Sequence, residues 1–230
     1  MPRAVRRAVI AAVEYGVARA GIATVRALDH DVIGQAHHPR GVAGRVAAWE
    51  MAHRPSNRQR SRWVVSLLGV RPADQVMEIG FGPGLAVAAL VRAGAGHVYG
   101  IDHSGVMLRQ ASRRNAAAVR AGRVTLIRAS VDQLPSTLDG PFDAILAVNS
   151  LAFWPAPAER LAELRLRLAP GGRIAIASQP RCPGATAATS RSAADEIKNL
   201  LSGAGFTHLS TETLPLSPPA VCVLAAGQSR

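Results

Sequence analysis

The sequence predicts an α/β fold: a doubly wound, mostly parallel sheet behind a helical N-terminal extension. Three observations carry that expectation. From Val70 onward, short apolar runs alternate with helical stretches, the pattern of a parallel sheet covered by helices on both faces. The first run ends in a glycine-rich turn, Gly80-Phe81-Gly82-Pro83-Gly84. Before Val70 the texture is helical, with Val5, Val9, Val13 and Val17 forming one apolar stripe.

Taken in order, the loop His37–Gly41 separates that stripe from a second helical region over Val42–Leu68. Pro55 interrupts this region, and Ser56 and Asn57 are candidate caps where the helix restarts. Five strands are expected at Gln75–Ile79, His97–Ile101, Val124–Arg128, Phe142–Val148 and Arg173–Ser178. Helices are expected between them at Gly84–Ala93, Gly105–Ala121 and Pro157–Leu168. After a last helix at Ser192–Ala204, the runs Phe206–Thr211 and Ala220–Ala225 suit a closing antiparallel pair. The sheet is then seven-stranded with an antiparallel final strand. Residues 1–62 are expected to form a helical cap and residues 63–230 the ligand-binding domain.

Composition bounds the function classes. With 48% hydrophobic and 18% charged residues the chain is globular rather than disordered. Cys182 and Cys222 are its only cysteines, far apart and without a paired histidine, which argues against a disulfide framework or a zinc site. The formal charge is +12, carried by arginine except for Lys198. Residues 1–62 hold eleven arginines against Glu14, Asp29, Asp31 and Glu50, a net of +7. Such a field favours anionic partners but does not identify one. Arg6-Arg7 before Ala8–Val13 resembles a twin-arginine export signal, yet Glu14, Arg19 and Arg26 break the run. No segment reaches the roughly 18 apolar residues of a membrane span, and a cytoplasmic location is expected.

The turn after the first strand carries the chemistry. Glycines there let a ligand approach the backbone and leave N–H groups free at the helix start. A dinucleotide turn would place its third glycine at position 85, where this chain has Leu85. Glu78, inside an apolar strand, would repel a pyrophosphate but can pair with an ammonium. Asp102, 22 residues after Gly80 at the end of the second strand, suits the two hydroxyls of a ribose.

The run Glu78-Ile79-Gly80-Phe81-Gly82-Pro83-Gly84 resembles motif I of the class I methyltransferases that use S-adenosylmethionine (SAM), whose sheet is Rossmann-like. Asp102 matches that family's ribose acid. Ser130-Val131-Asp132 follows the third strand, where the family places an acid or amide against the adenine amino group. Phe142–Leu146, leading to Asn149-Ser150-Leu151, resembles motif IV, and Leu168–Arg173 resembles the turn into strand five. The resemblance covers about residues 65–225. It implies that Glu78, Gly80, Gly82 and Gly84 hold the methionine end of SAM. It also implies that His103 and Met107 lie near the ribose and adenine, and that Asn149 borders the cofactor.

The cofactor brings the electrophile, so the protein needs alignment and dryness more than a diagnostic catalytic side chain. His53 and Asn149 are the two catalytic candidates. Asn57, Phe153 and Trp154 are candidates for the acceptor wall. Asn149-Ser150-Leu151-Ala152 lacks the (Asp/Asn)-Pro-Pro-(Tyr/Phe) run of amino-methylating nucleic-acid enzymes. Ser178-Gln179-Pro180 lacks the oxygen ligands of a magnesium-dependent enzyme, so no metal is expected. A small-molecule acceptor is the resulting expectation, to be methylated on oxygen, nitrogen or carbon. The alternative is a SAM-binding protein whose basic N-terminal helices meet nucleic acid or membrane. Those helices could also make a homodimer contact.

Overall fold

The structure, a computed structural model, describes residues 53–227. The stripe Val5–Val17, the loop His37–Gly41, the paired arginines Arg6-Arg7 and most of the expected cap lie outside the described residues.

In chain order the elements are α1 (Pro55–Leu68), β1 (Gln75–Ile79), α2 (Leu85–Ala93), β2 (His97–Asp102), α3 (Gly105–Arg114), α4 (Ala116–Arg120), β3 (Val124–Arg128), β4 (Phe142–Val148), α5 (Pro157–Leu166), β5 (Leu168–Ser178), α6 (Ala187–Gly203), β6 (Thr207–Leu214) and β7 (Ala220–Ala226). They build one seven-stranded sheet in the order β3-β2-β1-β4-β5-β7-β6. β1 to β5 pair in parallel, and β7 runs antiparallel to both β5 and β6. The order reverses between β1 and β4, which places the topological switch point beside the glycine turn.

Strands buried on both faces read as near-continuous apolar runs, and alternate residues feed two cores. Val76, Val98, Ala144 and Ala175 face the core made with Val64, Val65 and Leu68 of α1, Val87 and Leu90 of α2, and Met107 of α3. Met77, Ile79, Ile145 and Ile174 face the core made with Leu161 and Leu164 of α5 and Ile197 and Leu201 of α6.

Four local expectations are revised. Pro55 sits in the first turn of α1 behind Arg54, and neither Ser56 nor Asn57 caps it; a missing proline N–H costs nothing there. The expected Gly105–Ala121 helix breaks at Asn115, whose side chain turns back to the Ala111 and Gly84 carbonyls. β5 reaches back to Leu168, because the turn at Pro170-Gly171-Gly172 is absorbed as a bulge against β4. α6 begins at Ala187, where Thr186 and Thr189 form a reciprocal capping box. The expected domain boundary at 62/63 lies within α1.

Arg173 fastens the amino edge of the sheet. Its guanidinium donates to the carbonyls of Leu68 (2.5 Å), Gly69 (2.8 Å) and Asp143 (3.1 Å) and to the Asp74 carboxylate (2.6 Å). One side chain of β5 thus ties down the end of α1, the approach to β1 and the start of β4. Removing it strands a buried carboxylate and three carbonyls. Breaking a fully buried pair costs about 3–5 kcal/mol. Arg173 keeps 24% of its side chain in water, so Arg173→Ala should cost about 2–4 kcal/mol in urea unfolding. Arg173→Lys should recover less than half, since an ammonium cannot span four acceptors in one plane. An unchanged midpoint in Arg173→Ala would refute this role.

Candidate functional site

The carboxyl ends of β1 and β2 hold two carboxylates in contrasting states. Both oxygens of Asp102 accept backbone N–H groups, from Gly82 at 2.8 Å and from Ser104 at 2.8 Å. Ser104, not Asp102, caps α3, accepting from the Met107 N–H. Asp102 therefore holds the β1 turn against the start of α3.

Glu78 is 2% exposed, and its Oε2 has no hydrogen-bond partner among the described residues. Burial and the nearby Asp102 charge push its carboxyl up to about 8, while the Val87 backbone N–H at the start of α2 works the other way. A buried oxygen with no donor is costly, and it suits a site that waits for a donor or a cation.

The three turn glycines all have positive φ, but their reasons differ. A Cβ on Gly80 would meet the Ser150 Cβ at 2.4 Å, because Ser150 Oγ donates to the Ile79 carbonyl at 2.6 Å. A Cβ on Gly84 would meet Ala111 and Asn115 of the α3 region within 2.9 Å. A Cβ on Gly82 would meet nothing within 4 Å. Gly80 and Gly84 are thus demanded by packing, and the face of Gly82 is open to a ligand. Arg114 Nε, donating to the Pro83 carbonyl at 2.9 Å, and Asn115 brace the turn from behind.

The other expected residues divide. Val131 and Met107 are buried in opposite cores. Ser130 donates to the exposed Asp132 carboxylate, which holds Asp132 below its usual range. His103 is half-buried beside Asp102, and its carbonyl accepts from Arg128. Trp154 belongs to the core, whereas Phe153 is 43% exposed just past β4. His53 lies exposed ahead of α1.

Asn149, in the left-handed region, mimics a strand. Its amide donates to the Gln179 carbonyl at 3.0 Å and accepts from the Gln179 N–H at 2.7 Å. It clamps the ends of β4 and β5 together and has no acid–base capacity. The segment 149–156 contains no ionisable side chain at all.

Sequence reasoning passed over a second cluster at this edge. Arg60 of α1 is 6% exposed; it donates to Gln179 Oε1 at 2.6 Å and to Asn57 Oδ1 at 3.1 Å. Arg181 donates to the same Gln179 oxygen at 2.7 Å. Burial, then the Arg181 and Arg54 charges, bring Arg60 down to about 9. Asn57 is thus close to the carboxyl end of β5, where its Oδ1 accepts from Arg60 and Arg181.

Residues 76–172 match a protein-family model described as a methyltransferase domain. Among curated proteins, the uncharacterized methyltransferase YdaC of Bacillus subtilis is 28% identical over 186 residues, spanning 80% of this chain and 97% of that one. Among solved structures, the N-methyltransferase NodS of Bradyrhizobium japonicum, in complex with S-adenosyl-L-homocysteine, superposes with a TM-score of 0.63 at 17% identity, over 79% of this chain and 92% of that one. The [4+2]-cyclase SpnF superposes with a TM-score of 0.62 at 17% identity, over 76% and 82%. The run Glu78–Gly84 at the end of β1, the match over residues 76–172 and the strand order point the same way, to a class I methyltransferase domain of the SAM-dependent kind.

Proposed function

We propose that this protein binds SAM along the carboxyl ends of β1 to β3 and transfers its methyl group to a small-molecule acceptor held beyond the end of β4. The observation that supports it most is the buried, donor-less Glu78 oxygen next to the one turn glycine that faces open space. Bound SAM would supply a methyl group on a sulfonium, already activated for in-line attack. Glu78 would accept the ammonium of the methionine end, Gly82 would let that end approach the chain, and Asp102 and Asp132 would take the ribose and adenine. Two aims remain for the acceptor side, alignment with the methyl and exclusion of water.

Residues 1–62 are proposed to supply that enclosure. The first turns of α1 stand at the carboxyl end of β5, where Asn57 and Arg60 meet Gln179 and Arg181. Deleting residues 1–40 should then leave SAM affinity nearly intact and abolish transfer in a labelled-SAM screen of phenol, carboxylate, amine and thiol acceptors. Full transfer by the truncated protein would remove the cap. The same screen tests the function itself, because a cyclase shares the fold and SAM binding alone would not prove methyl transfer.

The glycines give a sharper test. Gly82→Ala should fold, losing only about 1–2 kcal/mol to the left-handed backbone, yet bind SAM at least about tenfold more weakly, a loss of roughly 1.4 kcal/mol. Gly80→Ala should be much less stable, and Ser150→Gly should restore part of that loss. Equal SAM binding by Gly82→Ala and the wild type would contradict the proposed approach.

Glu78 adds a pH dependence. In the folded protein its carboxyl holds a proton up to about 8, against an ordinary 4.5. The folded state then binds the extra proton, so stability without ligand falls as pH rises from about 4.5 to about 8 and levels off above. A bound ammonium reverses the preference, so SAM affinity should rise from pH 6 to pH 8 and binding should release a proton. Calorimetry in two buffers of different ionisation enthalpy measures this. Glu78→Gln should flatten both trends while weakening SAM; a pH trend that survives it would assign the proton elsewhere.

A further inference from the structure

At the carboxyl end of β5 the chain gathers positive charge with no carboxylate paired to it among the described residues. Arg60 and Arg181 converge on one neutral oxygen, Gln179 Oε1, at 2.6 and 2.7 Å. That oxygen cannot turn away. Gln179 is 1% exposed, its Nε2 donates to the Pro218 carbonyl at 2.8 Å, and its backbone is paired with Asn149. Arg60 Nε is buried without an acceptor among the described residues. Arg54 adds a third charge felt by both. Among the described residues none of these three arginines makes an ion pair.

A buried guanidinium without a counter-ion is costly, and folded chains normally supply one. This chain does so at the other end of β5, where Arg173 meets Asp74. Here the partner among the described residues is a neutral amide, which leaves room for an anionic group of a ligand. The position says from what. Glu78 and Asp102 lie at the ends of β1 and β2, on one side of β4; Gln179 follows β5 and touches the approach to β7, on the other side. Asn149, paired with Gln179, and Ser150, bonded to the Ile79 carbonyl, lie between them.

We propose that Arg54, Arg60 and Arg181 form an oxyanion subsite that receives a carboxylate or phosphate group carried by the methyl acceptor. The acceptor is therefore an acidic small molecule, bound through its anion on the β5–β7 side with its nucleophile toward β4. Planar guanidiniums suit this, since each can offer paired N–H donors to two oxygens. The inference rests on the methyltransferase reading, and the test separates the two.

Inorganic phosphate and acetate serve as probes on the full-length protein, with sodium chloride at matched ionic strength as the control. Phosphate or acetate should raise the melting temperature saturably beyond chloride. Arg181→Gln, an exposed position, should weaken that response at least tenfold while leaving SAM affinity within twofold. Gln179→Glu, which places a carboxylate among the arginines at the expense of the bond to the Pro218 carbonyl, should lose the response. Saturating phosphate should leave the SAM dissociation constant of the wild type unchanged. No saturable response, or an equal one in Arg181→Gln, overturns the subsite. Competition between phosphate and SAM also overturns it, because the arginines would then serve the cofactor's own carboxylate. If the wild type shows the anion response but no SAM binding, the oxyanion subsite stands and the methyltransferase reading fails.

Discussion

The working edge of this sheet depends on one carboxylate holding two backbone N–H groups. Asp102 links Gly82 to Ser104 and so joins the turn after β1 to the start of α3. Parallel strands release all their carboxyl ends at the same edge, where backbone donors and acceptors lose their ladder partners. Asp102 satisfies two of those donors and fixes the turn in its left-handed course. The turn in turn closes over Glu78, dries it and brings it within the field of Asp102. Stabilising the turn and preparing an unfulfilled carboxyl are thus one arrangement.

The two ends of β5 show how one residue type takes opposite roles. At the amino edge Arg173 has a carboxylate and three carbonyls, and every contact is internal. At the carboxyl edge Arg60 has amide oxygens and the repulsion of Arg181 and Arg54. The first arrangement lowers the energy of the fold. The second raises it, and strain of that kind concentrates where a ligand can relieve it. α1 spans both, with Leu68 at one end and Asn57 and Arg60 toward the other, so it fastens the sheet and lines the site.

Much of the fold was legible because it is local in sequence. Each strand of the parallel half is an apolar run bounded by turn residues, and Glu78 and Asp102 stood out as acids inside or ending such runs. What was not legible depends on distant partners. Gly80 looks like a ligand glycine until Ser150, 70 positions on, is found against it. Arg60 looks like one more basic residue on an exposed helix until Gln179 arrives from 119 positions away. Met107 and Trp154, named as site candidates, are both buried among core side chains that come from distant parts of the chain. The early start of α6 was missed because two threonines, Thr186 and Thr189, supply its capping box, where an acid or amide at the third position is the more familiar signature.

Charge at this edge is sorted by strand. The buried carboxylates Glu78 and Asp102 stand on the β1–β2 side of β4, and Arg60 and Arg181 stand on the β5–β7 side. In the proposed arrangement a cationic cofactor and an anionic acceptor each meet opposite charge on their own side, and exchanging them would place like charges together. That repulsion fixes orientation without any contact to the reacting atoms, which is how electrostatic complementarity yields specificity more than affinity. It also explains why the segment after β4 needs no ionisable group. In that arrangement the reacting centre would lie between two fields of opposite sign, and transfer of the methyl would remove the sulfonium charge from the acidic side. The attraction that aligned the cofactor would then weaken once the reaction was done, which would favour release of the spent cofactor.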